Sequence, residues 1–87
     1  MAYNKEIKFT ISGRETSDER MLVSIPHQYQ DLFDNHNFKD VHELSMALMH
    51  ASCAAEAARY GRVFKYVRYE NDLLRTLGMP VRKAVDV

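Results

Sequence analysis

Three observations on the 87-residue chain predict an α+β fold. Residues 5–12 alternate apolar and polar side chains. A long stretch beginning at Asp40 keeps helical spacing, and the basic-aromatic run 62–69 is rich in strand formers. The expected architecture is a small antiparallel sheet, a hairpin plus a third strand, packed on one long and one short helix. The element order is ββααβ, with a further short helix after it. Residues 1–80 are expected to form one domain and 81–87 a C-terminal tail.

Ile7, Phe9 and Ile11 point one way and Lys8, Thr10 and Ser12 the other, the signature of a half-buried strand. Gly13 to Glu19 is polar and reads as a loop. Met21, Val23 and Ile25 make a second apolar row, which predicts an antiparallel hairpin. Pro26 lacks a ladder donor and suits a helix start, and Tyr29, Leu32 and Phe33 follow at helical spacing. Asp34-Asn35-His36-Asn37 is a turn cluster.

Asp40 with Glu43 three residues on resembles a capping box. Val41, Leu44, Leu48, Ala51, Ala55 and Ala58 then hold a 3–4 spacing, with Met46, Met49, Cys53 and Ala57 as a second stripe. Five alanines between residues 51 and 58 favour a helix that admits close neighbours. Gly61 ends it. Val63, Val67 and Leu74 would also suit a helix, but the β-branched and aromatic content of 62–69 favours a third strand. Asp72 to Leu77 reads as a short helix closed by Gly78 and Pro80. The expected core pairs Ile7, Phe9, Ile11, Met21, Val23 and Ile25 of the sheet with Val41, Leu44, Leu48, Ala51 and Ala55 of the long helix.

Composition narrows the function. Twelve basic and twelve acidic residues cancel, which disfavours an acidic nucleic-acid mimic or a basic nucleic-acid coat. The halves differ: residues 1–43 carry net −3 and residues 44–87 net +3. Single Cys53 fits a reducing compartment. No signal-peptide layout and no membrane-length apolar run occur, so a cytoplasmic protein is expected. Three glycines cannot form a phosphate-cradling loop. Neither a cofactor motif nor a catalytic constellation is present, and the expectation is that the chain is not an enzyme.

Arg59-Tyr60-Gly61-Arg62-Val63-Phe64-Lys65-Tyr66-Val67-Arg68-Tyr69 holds four basic and four aromatic residues and no acid. Arg59, Tyr60, Arg62, Phe64, Lys65, Tyr66, Arg68 and Tyr69 are the candidate partner-binding residues. On a strand, Arg62, Phe64, Tyr66 and Arg68 would share one face. Such residues build protein-binding hot spots or stack on bases and pair with phosphates. The bland alternative is a strand whose aromatics pack on the long helix. Glu15, Asp18 and Glu19 form a secondary acidic surface. The stripe Met46, Met49, Cys53 and Ala57 is a candidate homodimer contact. His50 and Cys53 share a helix face, yet no third ligand falls at a supporting spacing, so no metal site is expected.

Met21-Leu22-Val23-Ser24-Ile25-Pro26, followed by a short and then a long capped helix, resembles the ribbon-helix-helix DNA-binding layout over residues 20–58. That resemblance implies a dimer with Arg20, Leu22 and Ser24 in the major groove. It departs at Leu22, an apolar residue at a base-reading position, and in the short connection after Pro26. As a whole, the chain is similar in style to small accessory proteins of bacteriophages and mobile elements, including anti-CRISPR and other anti-defence inhibitors. This implies stoichiometric binding to a host protein or nucleoprotein complex. The expected function is therefore a noncatalytic binding protein and inhibitor, with a nucleic-acid-binding regulator as the alternative.

Overall fold

A computed structural model describes residues 8–17 and 25–82. Within them the chain is an α+β fold with a three-stranded mixed sheet. Strand β1 (Lys8–Ile11) pairs antiparallel with β2 (Arg14–Ser17), and Ile11 opposes Arg14 at the closed end. Ser12 and Gly13 make the two-residue turn, both with positive φ (51° and 78°), the backbone that matches the twist of a tight hairpin. The hairpin's second strand thus falls within the stretch predicted as loop. Arg-Glu-Thr-Ser carries no apolar alternation, and among the described residues it stands at the edge of the sheet, leaving only the turn residues as a signal. Met21 to Ser24 lie outside the described residues, as do Ile7 and the groove-facing set Arg20, Leu22 and Ser24. Ile25 is half-buried beside the core without regular structure.

After Pro26 a 3-10 turn (His27–Tyr29) runs into α1 (Gln30–Asp34), as the sequence predicts. The third strand, β3 (Asn37–Phe38), comes next and pairs parallel with β1, giving the order β2-β1-β3. It is also fastened to the hairpin turn. Ser12 N–H donates to the Phe38 carbonyl (2.8 Å), Ser12 Oγ to the Lys39 carbonyl (2.7 Å), and Gly13 N–H to Asn37 Oδ1 (2.9 Å).

Helix α2 (Val41–Arg59) begins at the predicted cap: Glu43 N–H donates to Asp40 Oδ1 at 2.8 Å. Glu43 answers by accepting the Lys39 N–H at Oε2 (2.8 Å), and its Oε1 meets His36 Nε2 at 3.1 Å. Asp40→Ala should therefore cost about 1 kcal/mol, lowering Tm by roughly 4–8 °C for a domain of this size. Asp40→Asn should restore most of the loss in the same thermal melts.

The run 62–69 is not a strand. It opens helix α3 (Val63–Thr76), which also absorbs the short helix predicted from Asp72. Tyr66, Glu70, Leu73 and Leu77 fall at helical spacing and face inward, and packing along α2 overrides the local β preference. Gly61, at φ 66°, turns the chain between the helices. Arg62 N–H donates to the Ala57 carbonyl (2.9 Å) and Gly61 N–H to that of Ala58 (3.2 Å), the paired bonds of a glycine-terminated helix. α3 closes with the same pattern at Gly78.

The core joins Phe9, Tyr29, Phe33 and Phe38 to Leu44, Leu48, Leu73 and the buried alanines of α2. Leu44, Leu48 and Ala51 occupy their predicted places, and Ile11 is half-buried against them. Val41 does not: as the first helical residue it is 54% exposed. Ala47 and Ala54 take the inward positions, where they let α3 approach α2. Among the described residues, no helix is long and apolar enough to cross a membrane.

Candidate functional site

The basic-aromatic segment forms the corner where α2 turns into α3. Arg59 is the last residue of α2, Tyr60 its cap, and Arg62 caps the start of α3. Three large apolar side chains stand out from this corner: Tyr60 (64% exposed), Val63 (55%) and Phe64 (63%). The Arg62 guanidinium lies over the Tyr60 ring, 5.8 Å from its centroid, within reach of a cation–π contact. Arg59, Lys65 and Arg68 are exposed around them. None of these four cations is ion-paired among the described residues. A shallow cleft of about 90 Å³ opens beside them, with Cys53 and Glu56 on its α2 wall and Lys65 and Tyr69 on its α3 wall.

Helical geometry dissolves the alternating face predicted for a strand. At about 100° per residue, Phe64 and Tyr66 point roughly 200° apart. Phe64 and Arg68, four apart, share the outer face instead. Tyr66 and Tyr69 are half-buried and pack against the core. Of the eight predicted residues, the corner gathers Arg59, Tyr60, Arg62, Phe64, Lys65 and Arg68 on its surface, while Tyr69 only edges the cleft.

Glu15 is exposed on β2, while Asp18 and Glu19 lie outside the described residues. Met49 is exposed, Met46 and Cys53 are half-buried, and Ala57 is buried within the chain. Ala57 thus belongs to the packing of the chain itself, and a charge there would disrupt the fold before reporting on a dimer. Among the described residues, no group of three metal-ligating side chains converges.

A second polar site was not foreseen. Glu70 occupies an inward position of α3 and is 5% exposed. Its Oε2 accepts hydrogen bonds from the hydroxyls of both Tyr29 and Tyr66, each at 2.7 Å. Its Oε1 meets an Arg82 guanidinium nitrogen at 2.9 Å. Neighbouring Asn71, also buried, binds the Arg82 main chain through both atoms of its amide. The available signal was a carboxylate four residues after Tyr66, at a position the helical pattern reserves for core. Tyr29, 41 residues from Glu70, gives no local hint.

Burial first, and the hydrogen bond to Glu70 second, raise the Tyr29 pKa well above its ordinary value of 10.0. For Tyr66 the hydrogen bond to Glu70 comes first and burial second, again raising the pKa. Both rings lose protons more readily unfolded than folded, so stability is full below the unfolded value and falls as pH rises past it. Urea midpoints should drop between about pH 9 and about pH 11. The drop should be shallower in Tyr29→Phe, which removes one of the two linked groups.

Comparison of the chain with family models, curated proteins and solved structures returns no match.

Proposed function

We propose that this is a noncatalytic binding protein that occupies a partner protein's surface stoichiometrically, using the α2–α3 corner. One observation carries the reading: Tyr60, Val63 and Phe64 stand exposed together, flanked by Arg59, Arg62, Lys65 and Arg68. Scattered exposed apolar residues are normal, but a cluster rimmed by polar groups marks an interaction surface. Tyr and Arg are the residues that dominate binding energy. The patch sits on a glycine-closed turn between two packed helices, so little ordering entropy opposes its docking. Arg62 and Lys65 line the cleft with a single carboxylate, Glu56, and this surplus of positive charge suits an apolar pocket with an acidic rim and speeds encounter with it.

A phage-type inhibitor of a host defence complex, or of another host protein or nucleoprotein machine, is the concrete form of this reading. It is supported by the exposed basic-aromatic corner, and the cytoplasm is where such a partner would be met. Nucleic acid is the competing occupant, because the same cations and aromatics could follow a single strand. A salt titration separates the two. Weak or absent binding to generic oligonucleotides at low salt is expected, alongside saturable one-to-one capture of a host protein. Micromolar oligonucleotide binding with a steep salt slope would replace the proposal with the nucleic-acid reading.

A further inference from the structure

The Glu70 site supports an inference independent of the corner. Two neutral tyrosine hydroxyls satisfy Oε2 but do not neutralise the carboxylate, and a buried charge without a counter-ion is strongly destabilising. Arg82 supplies that charge at Oε1. Asn71 Nδ2 donates to the Arg82 carbonyl (3.2 Å), and Asn71 Oδ1 accepts the Arg82 N–H (2.9 Å). One side-chain amide thus pairs with both main-chain polar groups of a single residue, as a neighbouring strand would. A main-chain clamp beside a buried carboxylate is a reader for one arginyl residue in an extended segment.

The occupant is replaceable. The Arg82 side chain remains 59% exposed. Beside it lies an open groove of about 410 Å³, where Leu32 and Leu74 give apolar walls and Asp31 a second carboxylate. The groove is larger than one guanidinium requires.

We propose that Glu70, the Asn71 clamp and the adjoining groove form a binding site for an arginine-bearing extended segment, held in cis by Arg82 and open in trans to an arginine of a partner protein. Tethering gives Arg82 an effective concentration on the order of millimolar. A partner segment therefore has to add contacts along Leu32, Leu74 and Asp31 to displace it. None of these residues belongs to the exposed corner, so the two readings stand or fall separately.

The test uses the full chain carrying Arg82→Ala and the probe N-acetyl-arginine-N-methylamide, which supplies a guanidinium with a flanking main-chain N–H and carbonyl. The variant should melt below the wild type. The probe should return most of that loss in a dose-dependent way and shift the Asn71 side-chain amide signals in NMR spectra. The lysine analogue at equal ionic strength should do neither, and the wild type should barely respond. Glu70→Gln in the same background should abolish the response. An equal effect of the lysine analogue, an equal response of the wild type, or a response surviving Glu70→Gln would each overturn the proposal. If Arg82→Ala does not fold alone, Arg82→Lys keeps a cation at the site, and the arginine probe should still raise its Tm. A flat response there overturns the proposal as well.

Discussion

Phe38→Ala should remove a large share of the chain's folding stability and lower its urea midpoint sharply. Phe38 is completely buried and is one of only two residues in β3. Its ring meets Phe9 edge-on with centroids 6.3 Å apart, Phe33 at 5.8 Å and the His36 imidazole at 4.6 Å. Truncating a buried phenylalanine costs about 3–5 kcal/mol through lost transfer energy and the cavity left behind. A domain of this length has roughly 4–13 kcal/mol in total. The site has little means of collapsing, because β3 is fastened to the hairpin turn by main-chain and side-chain hydrogen bonds on both sides of the ring. Phe38→Leu keeps most of the volume and should cost about 1.5 kcal/mol or less. Urea titrations followed by far-UV circular dichroism would distinguish them. A near-normal midpoint for the alanine variant would mean that the sheet melts apart from the helices and that the core is not one cooperative unit.

The same residue shows where the sequence was silent. Asp40 and Glu43 announce a helix start through two side chains and a fixed spacing, and Gly61 announces its end, so α2 is legible to within a residue. The α+β class follows from that helix together with the alternation through Phe9 and Ile11. β3 is two residues long. It has no period to detect, and it is a strand because it pairs with Thr10 and Ile11 of β1, far away in sequence, with the Ser12-Gly13 turn adding further bonds. Residues 62–69 failed in the opposite direction. Their valines and aromatics suit a pleated surface as well as a helix, and the later inward positions Glu70, Leu73 and Leu77 extend the period of 3.6. Reading a strand there gives the wrong facing of the side chains. Tyr66 was placed with Phe64, whereas its hydroxyl is bonded to Glu70 on the other side of α3. A buried acid looks like a surface acid in sequence, because its partners are set by tertiary packing.

Reversing Arg62 and Arg68 to Glu should abolish partner binding and leave the melting curve almost unchanged. Both side chains are exposed and make no ion pair among the described residues, and exposed charges rarely contribute more than ~1 kcal/mol to stability. Arg62 caps the start of α3, where a negative charge is favoured by the helix dipole, so unfolding is not a route to the loss. Facing an acidic rim, two reversals replace attraction by repulsion worth several kcal/mol, or at least about 100-fold in Kd. Phe64→Ala should act on affinity alone. Its ring is 63% exposed and contributes little to the core, yet a central anchor lost from an interface costs about 2 kcal/mol or more, roughly 30-fold. Tyr66→Ala is the opposite control, since it removes one of the two hydroxyls bonded to buried Glu70 and should lower Tm. Isothermal titration against the captured partner and thermal melts on the same preparations separate the two classes of effect. If the double reversal and Phe64→Ala both keep wild-type affinity, the corner is not the working surface. The exposed edge carrying Glu15 then becomes the next surface to map, with a basic partner in place of an acidic one.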